Sequence, residues 1–173
     1  MKNAIKIFGL VVLFIFIAPQ VYSQKCKFEI DKKDQITGEI VKKTNFLLMG
    51  KRQWGMVEVA FNKVANTFFI DTYIYVGGFS GDVISPTEEF IIKLANGKII
   101  TKNTNEKIKP IAFSNGNGSR FELKLYFSDE ELREMANSNP TFMRFSISGK
   151  TYDIEITSKD AKNIANSINC ILQ

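Results

Sequence analysis

Histidine is absent from all 173 residues. That absence removes the commonest general base and the commonest metal ligand, and with them the Ser-His-Asp and Cys-His arrangements. Cysteine is almost missing too. Cys26 and Cys170 are the only two, and in an exported chain two thiols more often pair than act as nucleophiles. The order Gly78-Phe79-Ser80-Gly81-Asp82 fails the Gly-x-Ser-x-Gly elbow, because Asp82 holds the last position. Asp31, Asp34 and Glu39 lack the Asp-x-Asp-x-Asp-Gly spacing of a calcium loop. No cofactor or metal is therefore expected. A concentrated basic stripe is missing as well. The basic doublets at 32–33, 42–43 and 51–52 sit among Glu29, Asp31, Asp34 and Glu39, so nucleic acid is not an expected partner.

Long apolar runs are lacking except at one place. Ile7 to Ala18 follows Lys2 and Lys6 and precedes Val21-Tyr22-Ser23, the order of a secretory signal peptide over residues 1–23. The run is short for a hydrocarbon core of ~30 Å, so no permanent membrane anchor is expected. Ser23, Gln24 and Lys25 are the wrong residues ahead of Cys26 for lipid attachment. Residues 24–173 then form a single domain, long enough for a real core. Two of the 23 basic residues leave with the leader, lowering the net charge from +5 to a mild +3.

What is present is alternation. Asn66 to Val76 reads as a strand rich in β-branched and aromatic residues, ended by Gly77-Gly78. Phe68, Ile70, Thr72, Ile74 and Val76 share one face; Phe69, Asp71, Tyr73 and Tyr75 share the other. Trp54 to Phe61 alternates as well and is expected to pair with it as a hairpin. Earlier, Lys27 to Asp31 and Glu39 to Met49 read as strands. Ala95-Asn96-Gly97-Lys98 predicts a hairpin with a two-residue turn, placing Leu94 opposite Ile99 and Ile92 opposite Thr101. A short strand is expected within Ile108 to Phe113. Arg120 to Phe127 is the cleanest strand: Phe121, Leu123, Leu125 and Phe127 point in, and Arg120, Glu122, Lys124 and Tyr126 point out.

Ser128 and Glu131 make a capping box for a short helix that Asn139-Pro140 stops. A hairpin around Ser148-Gly149-Lys150 follows. The closing helix then carries Ala161, Ile164, Ala165, Ile168, Ile171 and Leu172 at amphipathic spacing. Cys170 falls nearly opposite that stripe at about 100° per residue. A bond to Cys26 thus needs the N-terminal segment to run over the helix's outer side, or the helix to fray. The expected fold is α+β, mostly antiparallel hairpins in a sheet covered by the short helix and the amphipathic C-terminal helix.

The Tyr-Ser-Gln leader end, Asp-Gln-Ile-Thr-Gly-Glu, the Leu-Ala-Asn-Gly-Lys-Ile hairpin and the closing hairpin-plus-helix resemble small exported proteins of Bacteroidetes-type bacteria. That group has no assigned function, so the resemblance implies export and fold but no site residue.

Two functional readings follow. In the first the chain is a non-enzymatic binding or interaction module of the cell envelope, periplasmic or extracellular, whose partner is a cell-surface polymer or another protein. Its candidate face is Phe69, Asp71, Tyr73 and Tyr75, with Trp54 opening the strand beside them; aromatic rings with a polar handle suit sugars or peptide. The alternative for that face is cover by the closing helix. In the second reading the chain is a carboxylate-dependent hydrolase acting on glycans, using Glu88-Glu89 or Asp129-Glu130-Glu131.

Overall fold

The computed structural model describes residues 26–77, 81–114 and 116–173; the signal-peptide reading lies outside them. Strands β1 (Phe28–Lys33), β2 (Ile40–Thr44), β3 (Leu47–Arg52), β4 (Gly55–Val64) and β5 (Thr67–Gly77) share one antiparallel sheet with β8 (Ile111–Ala112) and β9 (Gly118–Phe127). A second antiparallel sheet holds β6 (Glu89–Leu94), β7 (Ile99–Asn103), β10 (Pro140–Ile147) and β11 (Lys150–Glu155), in the order β11-β10-β6-β7. Two helices complete the fold of the described residues, α1 (Asp129–Ser138) and α2 (Ser158–Leu172). The α+β class is as expected. The division of the strands into two sheets is not, and its cause is area: two short helices cannot cover every apolar strand face, so the second sheet covers much of the first.

The β5 strand is central, with β4 on one side and β9 on the other. Its Phe68, Ile70, Thr72, Ile74 and Val76 face is buried throughout. Phe121, Leu123 and Leu125 of β9 continue that surface, and one apolar cluster joins them to Phe90, Ile92, Met143, Phe145 and Ile154 of the second sheet. Ile164, Ile168 and Ile171 of α2 belong to the same cluster. Full burial of such a side chain contributes about 1.5–3 kcal/mol. Between the layers β3 meets β11 closely: a Cβ on buried Gly50 would run into Ile154.

Two local signals were accurate. Ser128 and Glu131 make the capping box of α1. Ser148 and Gly149 both take positive φ in a two-residue turn that pairs Phe145 with Tyr152 and Met143 with Ile154. Three details differ. First, Glu39–Met49 is not one strand; it breaks at Asn45-Phe46, so that β2 and β3 pair with successive parts of β4. Second, only Gly97 of Asn96-Gly97 has positive φ, and Leu94 bonds to Lys98 across a three-residue loop. A type I′ turn needs both angles positive, so the register moves by one: Ile92 lies opposite Ile100, and Ile99 is left 58% exposed. Third, the strand expected over Ile108–Phe113 shrinks to Ile111–Ala112, with Ile108 instead bridging to Ile84.

Cys26 and Cys170 are joined, with Cα atoms 5.6 Å apart. The helix does not fray before Cys170, which is buried although it lies off the apolar stripe. Cys26, just ahead of β1, reaches that side of α2 through the bridge itself. No described helix is long and apolar enough to cross a membrane.

Candidate functional site

Pairing β5 between β4 and β9 puts the second face of β5 on the outside of the seven-stranded sheet. Register fixes its neighbours. Phe69, Asp71, Tyr73 and Tyr75 lie opposite Tyr126, Lys124, Glu122 and Arg120 of β9, and Glu58 of β4 lies opposite Tyr73. All four β5 residues are half-buried. The closing helix is not their cover. It packs on α1, β3, β4, β10 and β2 and sends its apolar side chains into the core on the other face. The half-burial comes from neighbours on the same face.

Those neighbours form a line of rings. Phe46, thrown out by the break between β2 and β3, stacks on Tyr73 with centroids 4.4 Å apart. Tyr73 meets Tyr75 edge-on at 6.5 Å, and Tyr75 stacks on Phe113 at 6.2 Å. Further along, Phe69 tilts against Tyr126 at 5.8 Å. Cations lie on the rings: the Arg120 guanidinium is 4.9 Å from the Tyr73 centroid, Lys43 Nζ 5.0 Å from Phe46 and Lys124 Nζ 5.1 Å from Phe69. Each contact contributes about 0.5–1 kcal/mol where exposed.

Acids complete the pattern. The Tyr75 hydroxyl donates to Glu58 Oε2 at 3.0 Å, Arg120 pairs with Glu122, and Lys43 bridges Glu29 at 3.0 Å and Asp71 at 3.8 Å. Burial pushes the Tyr75 phenol above its ordinary range, and the bond to Glu58 adds to the rise. Arg120 Nε is buried without a hydrogen-bond partner among the described residues.

Trp54 does not join this face. Its indole turns toward the second sheet, with Tyr152 at 4.9 Å and Phe145 at 5.7 Å. It meets Tyr75 only across a cleft of about 320 Å³ at the sheet's end, where Arg52, Met56 and Phe113 also contribute. Eight residues of the face, Lys43, Phe46, Glu58, Phe113, Arg120, Glu122, Lys124 and Tyr126, were outside the sequence-based set. For Arg120 and Glu122 the outward alternation was visible, but not the strand that would lie beside them.

Three members of the carboxylate clusters named for hydrolysis serve the fold. Glu88 accepts from the Ser85 and Gly149 amides at 2.6 and 2.8 Å. Asp129 pairs with Arg133 one turn on, while Glu131 caps α1 and binds Lys102 at 2.6 Å. The carboxyl groups displaced from their ordinary range, Asp34, Glu131, Glu134 and Asp153, are all lowered, whereas a general acid needs a raised one. No group of three metal-ligating side chains is present among the described residues.

No family model, curated protein or solved structure matches the chain.

Proposed function

We propose that the chain is an exported, non-enzymatic interaction module whose outer sheet face docks a partner protein at the cell envelope. One observation carries this reading. Each of the rings of Phe46, Tyr73, Tyr75 and Phe69 already has a partner on a face: another ring of the line, Phe113, or one of Arg120, Lys43 and Lys124. A sugar stacks on a bare ring face, whereas a protein partner meets ring edges, guanidinium and carboxylate tips. Tyrosine and arginine in such a setting are the residues that dominate protein interfaces. Acids and bases alternate over the face, so its complement is mixed in charge rather than acidic or basic. The disulfide supports an oxidising destination, in keeping with the leader.

A photo-reactive residue at Tyr126, which is 47% exposed, tests the docking. Cross-linking in the native envelope should give one discrete protein adduct, missing when the probe sits at exposed Lys162 of α2 and weakened by Arg120→Ala. Equal adducts at both positions, or none, would remove this face as the docking surface. Intact mass of the same material should begin at Gln24; retention of Met1 would remove the export reading.

A further inference from the structure

A further cavity lies apart from the clusters of acids and touches the ring line only at Phe46. It lies between α2 and the corner joining β2 to β3, with a volume of about 430 Å³, within the ~300–1,000 Å³ of small-molecule sites. Asn163, Asn166 and Ser167 line one wall; Asn45 and Phe46 line the other, and the Cys26–Cys170 bridge ties the two together. Spacing explains the first wall. Residues 163, 166, 167 and 170 recur at i, i+3, i+4 and i+7, one polar stripe beside the apolar stripe that enters the core.

The chemistry of this lining is narrow. No carboxylate faces the cavity, and Lys27 is its one charged residue. Among the described residues no hydrogen bond engages the side chains of Asn45, Asn163, Asn166 or Ser167. A carboxamide offers an acceptor and two donors at once, and a hydroxyl offers both as well. Amides facing each other across a groove therefore match a ligand whose own groups are neutral, closely spaced and both donors and acceptors. That description fits the vicinal hydroxyls of a sugar ring, with Leu47 as the apolar wall for its C–H edges. The bridge holds both walls in place before any ligand arrives, which lowers the ordering cost of binding.

We infer that this groove is a binding subsite for a neutral saccharide. It binds without hydrolysing, because no acid is in reach of the ring. The inference goes beyond the protein-docking face and does not depend on it.

Titration of the oxidised chain with cellotriose, maltotriose and diacetylchitobiose, followed by amide chemical shifts, tests the assignment. An oligogalacturonate serves as the acidic arm. At least one neutral sugar should shift the amides of α2 and of the 44–47 segment. Asn163→Ala with Asn166→Ala should weaken that binding about tenfold or more, and Asn45→Ala should weaken it from the opposite wall. All three are surface amides, so an unchanged melting temperature will certify the fold. Lys27→Ala should leave the neutral affinity within about twofold.

Silence of every neutral sugar at about 10 mM overturns the proposal. So does binding that ignores the asparagines, and so does binding confined to oligogalacturonate and lost with Lys27. Arg120→Ala, which tests the sheet face, should leave saccharide binding unchanged; the two readings thus fail separately.

Discussion

The Phe46 ring lies nearly parallel to that of Tyr73, at an interplanar angle of 23°. A residue from a strand break thereby anchors the corner between β2 and β3 to the middle of β5. The same corner forms one wall of the amide-lined groove.

Phe46→Ala should cost about 1–2 kcal/mol, combining the ring pair with partial loss of burial. For a domain of this size that is a fall of roughly 3–6 °C in Tm. A double-mutant cycle with Tyr73→Ala should return a coupling of about 0.5–1.5 kcal/mol. Strict additivity in thermal unfolding would show that the stacking contributes nothing of its own.

Gly50→Ala is expected to be severe for a one-carbon change. The added Cβ meets the Ile154 side chain across the β3–β11 contact, and overpacking a tight site costs about 1–3 kcal/mol. In an Ile154→Ala background the same substitution should cost clearly less, which denaturant midpoints will read. An equal cost in both backgrounds would place the strain in the backbone instead.

Cys26→Ser should lower stability by about 4–5 kcal/mol on the chain-entropy account, since the bridged residues are 144 apart in sequence. Reductant should bring wild type down to the variant and leave the variant unmoved. Peptide mapping without reductant should recover the Cys26–Cys170 pair. Free thiols in the folded, oxidised protein would contradict it.

Acid should loosen α1 through Glu131. Burial raises this carboxyl, but Lys102 and the Ser128 amide outweigh it and hold it below the ordinary glutamate range. A depressed folded pKa gives stability that is complete above the unfolded value of about 4.3 and is lost as pH falls through the folded value. Glu131→Gln should therefore flatten that part of the acid limb and cost about 1 kcal/mol near neutrality through the lost Lys102 pair, the amide still filling the capping box. An acid limb identical to wild type would assign the loss to other groups.

Legibility in the sequence followed the distance over which information had to travel. The alternation of β5 and β9, the box at Ser128 and the turn at Ser148-Gly149 are encoded within a few residues, and each was readable. That β9 would lie beside β5 was not, because nothing in either strand names its partner; the pairing joins residues such as Tyr75 and Arg120 across several intervening elements. The face of Phe69, Asp71, Tyr73 and Tyr75 was thus visible as a set, but its cations and acids were not. Trp54 went astray for a related reason. It stands in the turn between β3 and β4, where period-two alternation no longer fixes direction, and the ring followed Phe145 and Tyr152 instead. At Asn45-Phe46 the pattern stayed apolar through the break, so alternation alone could not reveal the corner.

The bridge between Cys26 and Cys170 also decides how the domain answers tension. A pull on the chain outside these two positions passes from one cysteine to the other through covalent sulfur. Neither sheet carries that load, and the ladder between β5 and β9 never enters the line of force. As long as the bond stays oxidised, the domain behaves as a rigid bead on a string, transmitting force at full strength without lengthening.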